Sequence, residues 1–484
     1  MRGARLRGTH GLFDEQEGQG TQGGDLEIAD VLERHVDALS NRLSLAKPAH
    51  DENSAYYESE HRLKAIGVGT PPEMRMLVSA IGWPRVYVDA LEERLDVEGF
   101  RLAGESYTDE RLWSWWQANN LDVESSLAHL EALIHGVSYV TISAPGKLDD
   151  PDMPVIRVES PTSMVADIDP RTRKVRRALR LYVDELDPTQ DAATLYLPNE
   201  TIYFVRRSGA ARWRIESRVR HQLGVVPVIP IINRERLSDR VGRSEITPEV
   251  RSMTDAAARI MMNLQATAEL MAVPQRLLFG VAQDEFAANP ENPGAVLEAY
   301  YARILAFENE AGRAEQFQAA ELRNFVEALG ELAKHVASYT GLPPQYLSFQ
   351  SDNPASAEAI RSSESRLVKK SERKARMFGS AWEEVMRVAM LIMDQAIPKN
   401  AYRMETIWRD PSTPTYSAKA DAVGKLYAAG MGVIPLEQAR IDLGYSAEQR
   451  RQMRDWDNQN PTAQLNALLS GPRLPAREPA AEAA

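Results

Sequence analysis

Residues 247–272 read TPEVRSMTDAAARIMMNLQATAELMA. After Pro248 no glycine or proline interrupts the run. Val250, Met253, Ala257, Ile260, Leu264, Ala268 and Met271 recur at steps of three and four. That spacing lines one face of a continuous helix, about 37 Å long at the usual rise per residue. Ala256, Ala257, Ala258, Ala266, Ala268 and Ala272 keep its flanks small, so a neighbouring helix can approach closely. A long helix with one narrow apolar seam needs a partner, and residues 320–340 offer one. Their seam runs through Leu322, Phe325 or Val326, Leu329, Leu332 or Ala333, Val336 and Tyr339. Residues 273–319 between them are rich in Gly, Pro and acid, with strand-like pieces at 276–281 and 303–308. Two readings follow: an antiparallel hairpin with an elaborate loop, or a hairpin that also packs against copies of itself in a ring.

Downstream, Gly341-Leu342-Pro343-Pro344 breaks the helix and a polar loop follows. A very long helix is expected over 357–399. Its first half carries Arg361, Arg366, Lys369, Lys370, Arg373, Lys374 and Arg376 against Glu358, Glu364 and Glu372. Its second half places Phe378, Trp382, Val385, Ala389 and Ile392 at helical spacing, so that half is buried on one side. The basic half reads either as a solvated face with a few i,i+4 pairs or as an electrostatic contact surface. A strand at 402–408 and helices at 417–429, 435–442 and 447–456 complete the chain, with a frayed tail from 459 to 484.

Upstream, residues 26–97 repeat at three and four: Ile28, Val31, Leu32, His35, Val36 and Leu39 open the pattern. Trp83-Pro84 starts a further helix, because proline suits a first helical turn. The texture then changes to short alternating β-branched and aromatic runs at 137–143, 155–159, 164–167, 178–183, 194–197, 201–206 and 212–219. Val225 to Ile232, the most apolar short run, is interrupted by Pro227 and Pro230. The fold class is therefore α+β, with helices first and a mostly antiparallel sheet after.

The 484 residues contain no cysteine, which removes disulfides, zinc–cysteine sites and thiol chemistry. Lys and Arg total 57 against 69 Asp and Glu, a net charge of −12, which argues against a general nucleic-acid coat. No stretch approaches the roughly 20 apolar residues of a membrane span. Residues 1–25 carry Arg2, Arg5 and Arg7 without an apolar run behind them and read as a disordered arm rather than a targeting signal.

Catalytic chemistry is scarce, and neither a cofactor nor a metal site is expected. His129 and His135 lack the i,i+4 spacing of a zinc helix. Gly67-Val68-Gly69-Thr70 lacks the lysine of a phosphate loop. Asp167 and Asp169 are the one thin case for a metal-dependent nuclease, although such a pair before Pro170 is more often a turn. Trp113, Trp115 and Trp116 read as core.

The order of parts resembles the portal proteins of tailed double-stranded DNA bacteriophages, the long-tailed actinobacteriophage branch in particular. Three segments carry the resemblance. Trp83-Pro84-Arg85-Val86-Tyr87-Val88-Asp89-Ala90-Leu91-Glu92-Glu93-Arg94-Leu95 is similar to a segment near the start of the family's wing. Gly242-Arg243-Ser244-Glu245-Ile246 precedes the first stem helix. Thr340-Gly341-Leu342-Pro343-Pro344-Gln345-Tyr346-Leu347 followed by Asn353-Pro354-Ala355-Ser356-Ala357 is similar to the approach to a tunnel loop.

The resemblance implies a wing over 26–243 joined by 400–412, stem helices at 244–272 and 320–340, and a small α/β clip at 273–319. It further implies a tunnel loop at 341–356, a long kinked helix at 357–399 and a helical crown at 413–458. It implies a virion component made in the host cytoplasm: a homo-oligomer, typically a dodecamer, at one capsid vertex, with double-stranded DNA in its channel. Partners would be the large terminase, then a head–tail adaptor, with the major capsid protein and scaffold at the wing. Ser348, Gln350, Ser351, Asp352 and Asn353 would face the tunnel, and Arg361, Arg366, Lys369, Lys370, Arg373 and Lys374 the DNA. Asp284, Glu285, Glu291, Glu308 and Glu310 would form the acidic docking collar. The competing expectation is a non-conducting helical head scaffold or adaptor.

Overall fold

The computed structural model describes residues 22–60, 80–105, 107–183, 187–210, 212–272, 276–279, 304–307, 314–316, 322–347, 357–412, 416–428, 431–445 and 447–459. Helix α1 (Gln22–Tyr57) turns Leu32, Val36, Leu39 and Leu43 inward. Helix α2 (Trp83–Glu92) has Pro84 in its first turn, as expected. Strand β1 (Val97–Arg101) follows. In α3 (Glu110–Ala118) the Asp109 carboxylate accepts the Leu112 N–H and satisfies an otherwise unpaired donor. Helix α4 (Leu121–His135) ends at Gly136 in the left-handed region.

Eight strands come next: β2 (Val137–Ser143), β3 (Val155–Glu159), β4 (Met164–Ile168), β5 (Val175–Val183), β6 (Gln190–Tyr196), β7 (Glu200–Arg207), β8 (Arg214–Arg220) and β9 (Val228–Ile232). Strands β4 to β8 form an antiparallel meander in sequence order. Strand β2 pairs with β3 on one side and β9 on the other. Strand β9, which was not among the expected strands, contains Pro230. It lies at an edge of its sheet, where a missing N–H breaks no ladder on the outer side. Helix α1 lays its apolar face on Leu179, Leu195, Ile202 and Phe204 of the meander.

Helix α5 (Pro248–Ala272) leaves the sheets. Strands β10 (Arg276–Phe279), β11 (Ile304–Phe307) and β12 (Ala314–Gln316) form a separate sheet with β10 central, parallel to β11 and antiparallel to β12. The first two were expected; the third, three residues long, is too short to alternate visibly. Helix α6 (Arg323–Thr340) returns. Met253 and Ala257 near the start of α5 meet Leu329, Leu332, Ala333 and Val336 towards the end of α6, so the two run antiparallel. The buried stripe of α5 is displaced from the expected seam. Ala258, Met262 and Ala266 are buried, whereas Ile260 and Leu264 are half-buried. On α6, Val326 and Tyr339 are exposed, and Leu329, Leu332, Ala333 and Val336 make the contact.

Helix α7 (Ala357–Asp394) runs 38 residues without interruption. Its second half is the spine of the largest core. Phe378, Trp382, Val385, Met386 and Ala389 pack among Leu91, Leu133, Trp115 and Trp116. Strand β13 (Glu405–Trp408) pairs antiparallel with β1, joining chain ends about 300 residues apart. Helices α8 (Tyr416–Tyr427), α9 (Leu436–Leu443) and α10 (Ala447–Gln459) close the described chain.

Candidate functional site

The basic half of α7 divides into an outer and an inner face. Arg361, Arg366, Lys369 and Arg373 lie on the outer face and are exposed. Lys369 Nζ is 2.6 Å from Glu372. Arg366 Nη1 donates to the Ser338 carbonyl at 2.8 Å, and its stem lies over Gly341, the left-handed cap of α6. Lys370 and Lys374 turn the other way. Lys374 is 1% exposed, so the expectation that it faces DNA is corrected: it is a core residue. The reason is periodicity. Leu367, Ser371, Lys374, Ala375 and Phe378 share the inner stripe of α7 and all are buried.

A lysine is buried only when paired. Lys374 Nζ meets Glu245 and donates to Asn233 Oδ1 at 2.6 Å. Lys370 Nζ lies 2.8 Å from the other Glu245 oxygen and 3.4 Å from Glu235. Tyr87 donates its hydroxyl proton to Glu245 at 2.7 Å, and Asn233 Nδ2 donates to the same carboxylate at 2.9 Å. Glu245 is 1% exposed. Burial alone would raise its pKa. The Lys374 and Lys370 ammoniums outweigh that and hold the carboxyl well below the usual carboxylate range. For Tyr87, burial comes first and the Glu245 charge second; both push the phenol far up, so it remains a proton donor.

This cluster sits where three parts of the chain meet: α2, the segment leading from β9 into α5, and α7. The backbone is fixed there too. The Glu245 N–H donates to the Leu133 carbonyl at 2.9 Å and the Asn233 N–H to the Gly136 carbonyl at 2.8 Å. Gly136 and Gly242 both have positive φ, and a Cβ on Gly242 would stand 1.9 Å from the Gly136 oxygen. Only glycine permits this approach.

A second junction lies at the entry to the polar loop. Arg94, 9% exposed, donates to the Tyr346 hydroxyl at 3.1 Å, and that hydroxyl donates to Glu364 at 2.8 Å. Arg94 also stands 3.7 Å from Glu364. The last turn before residue 348 is thereby pinned to α7 and to the segment just after α2. The start of α5 is tied to the end of α1: Arg251 pairs with Glu52 at 2.7 Å, and Tyr56 donates to Asp255 at 3.1 Å.

Ser348, Gln350, Ser351, Asp352 and Asn353 lie outside the described residues, as do Asp284, Glu285, Glu291, Glu308 and Glu310. Asp167 is held by Arg177 at 3.3 Å and Arg42 at 3.5 Å. Asp169 accepts the Arg171 and Thr172 N–H groups in a turn and pairs with Arg176 at 2.9 Å. Both carboxylates are thus committed to structure, and no cluster of metal-ligating side chains occurs among the described residues. Trp115 and Trp116 are core, as read. His129 is buried against Phe378 and accepts the Trp382 Nε1–H at 2.8 Å, and burial lowers its pKa to about 3. Among the described residues no helix is long and apolar enough to cross a membrane. The sequence reading missed the Glu245 and Arg94 junctions. Their members Tyr87, Arg94, Glu245 and Tyr346 nevertheless lie in the three segments quoted for the family resemblance.

A family model described as phage portal protein, SPP1 Gp6-like, matches residues 37–463. The portal protein of Mycobacterium phage L5 is 56% identical over 421 residues, 86% of each chain. That of Mycobacterium phage D29 is 55% identical over 422 residues, again 86% of each. Among solved structures, a chain from the neck of a native GTA particle computed with C12 symmetry is similar over 75% of this chain and 90% of that one. Its TM-score is 0.39 and its identity 12%.

Proposed function

Because the chain belongs to the phage portal protein family of SPP1 Gp6-like type, we propose that it assembles as a ring of twelve at one capsid vertex and conducts double-stranded DNA through its centre. The observation that carries this reading is the family match over residues 37–463, which takes in the α5–α6 hairpin, both junctions and α7 together. The hairpin and the insert it bears form the part of the ring outside the shell. There the acidic residues 284–310 dock first the large terminase and later a head–tail adaptor. An acidic collar at a narrow mouth repels phosphate and attracts a basic motor surface. Residues 26–243, closed by the β1–β13 pairing, meet the major capsid protein and scaffold.

The loop of residues 348–353 faces the tunnel. It is polar and close to neutral, which suits sliding over gripping. Arg361, Arg366 and Lys369 make weak, exchangeable phosphate contacts, while Lys370 and Lys374 hold the stem entry to the spine helix and touch no DNA. The chain acts as a structural part of the virion rather than as an enzyme.

The test separates the two faces of α7. Arg361→Glu with Lys369→Glu leaves assembled particles intact by electron microscopy and lowers packaged DNA. Lys374→Met lowers stability before it affects DNA. Equal DNA retention in the Arg361, Lys369 double variant and the wild type contradicts the conduit reading.

A further inference from the structure

Two adjoining cavities meet at Ile232, the first of them in the seam between α7 and β9. One, of about 720 Å³, lies between Met377, Ala381 and Val388 of α7 and residues 225–230. The other, of about 420 Å³, continues past Ile232 to Arg42 and Leu237. They share Arg173, Ile232 and Arg234. Their rims carry Arg173, Lys174, Arg234, Arg240, Arg373 and Arg376. None of these six cations is paired with a carboxylate among the described residues. Arg376 and Arg234 reach only backbone carbonyls, at Glu372 and Leu237. The carboxylates nearby are already taken, Glu384 by Arg387 at 2.8 Å and Asp169 by Arg176. Asp169 also folds the β4–β5 turn that sets Arg173, at φ +59°, and Lys174 on the rim.

Six uncompensated cations around an apolar floor, in a chain of net charge −12, form a site for an anionic ligand. The floor decides which class. Val225, Met377 and Ala381 line the cavity half-buried among the cations, an apolar surface that the sugar-phosphate backbone of a duplex does not match. A peptide with apolar side chains followed by carboxylates covers both. The chain has such a segment ahead of its first described residue: Leu12-Phe13-Asp14-Glu15-Gln16-Glu17.

We infer that this acidic–apolar segment of a neighbouring copy seats in the cationic groove between α7 and β9. The inference rests on the ring reading. Reach keeps the whole segment from seating in its own chain's groove, because Glu17 stays short of it. The five residues from Glu17 to Gln22 span at most about 17 Å extended. The start of α1 stands about 30 Å by helical rise from Arg42 at the edge of the groove. On the N-terminal side of Arg42, Glu33 accepts the Trp213 N–H at 3.1 Å at the β7–β8 connection, whereas Arg42 pairs with Asp167 of β4, so the helix leads away from the groove. The arms would then link each subunit to the next outside the helical hairpin.

Full-length protein with Phe13→p-benzoylphenylalanine is assembled, irradiated and mapped by peptide mass spectrometry, with mass photometry on the same sample. The expected product is an inter-chain link to residues 224–234 or 373–388. Arg373→Glu with Arg376→Glu lowers its yield about tenfold, and adding Asp14→Lys, Glu15→Lys and Glu17→Lys restores it. Arg373 and Arg376 are exposed, so reversal leaves the fold intact, which a thermal melt checks. Links within one chain, links elsewhere, a yield indifferent to charge, or displacement of the arm by a short DNA duplex overturn the inference. A ring without the link overturns it alone; a monomer overturns it together with the ring.

Discussion

Lys370, Lys374, Tyr87 and Asn233 converge on Glu245, and removing its charge strands two ammoniums. Breaking a buried pair by deleting one partner costs about 3–5 kcal/mol. Glu245→Gln and Lys374→Met are each expected to lose that much in urea unfolding of the assembled protein. The pH dependence has a definite sign. A carboxyl whose folded pKa is depressed contributes stability that is complete above its unfolded value, about 4.3. That contribution is lost as pH falls below this value towards the folded pKa. His129 acts in the same direction through a different window. Its folded pKa of about 3 lies below the ordinary 6.5, so stability is complete above 6.5 and falls as acid protonates the unfolded chain. His129→Phe is expected to flatten the stability curve between pH 6 and 4 (roughly the window between the two values); an unchanged slope there contradicts the assignment of a neutral, buried imidazole.

At the level of elements, the close contact between the end of α4 and the segment entering α5 depends on two glycines. Gly242→Ala adds a Cβ against the Gly136 carbonyl and strains a positive φ. The expected loss is about 2–4 kcal/mol, read by thermal melting. Gly209→Ala, also at positive φ but with open space around it, is the control for the backbone contribution alone. Helices α5, α6 and α7 were legible because an uninterrupted period of three and four over 18 residues or more has few other solutions. Strand β9 was obscured by Pro230, since nothing local marks it as an edge strand. Strand β1 was missed because its only partner among the described residues, β13, lies about 300 residues away. Lys374 was expected to face DNA because it falls in a locally basic run of an acidic chain. Its place seven residues after Leu367 and four before Phe378 did signal the inner stripe, but its partner, 129 residues distant, was not visible locally.

For the whole molecule, the net charge of −12 matters less than its distribution. The sequence places acid at residues 284–315, and the structure adds a groove of unpaired cations between α7 and β9. A ring of such chains presents opposite signs to different neighbours, so its assembly depends on salt. Raising ionic strength from about 0.1 to 1 M shortens the screening length from about 10 to 3 Å. Bridging contacts made through the groove weaken accordingly, while the buried Glu245 junction is little affected. The central claim is that the chain closes into a channel. End-on electron microscopy of the purified full-length protein, with particle mass measured on the same sample, tests it most directly. The account predicts a closed ring of twelve subunits with an open centre; a monodisperse monomer at every salt and protein concentration would contradict it.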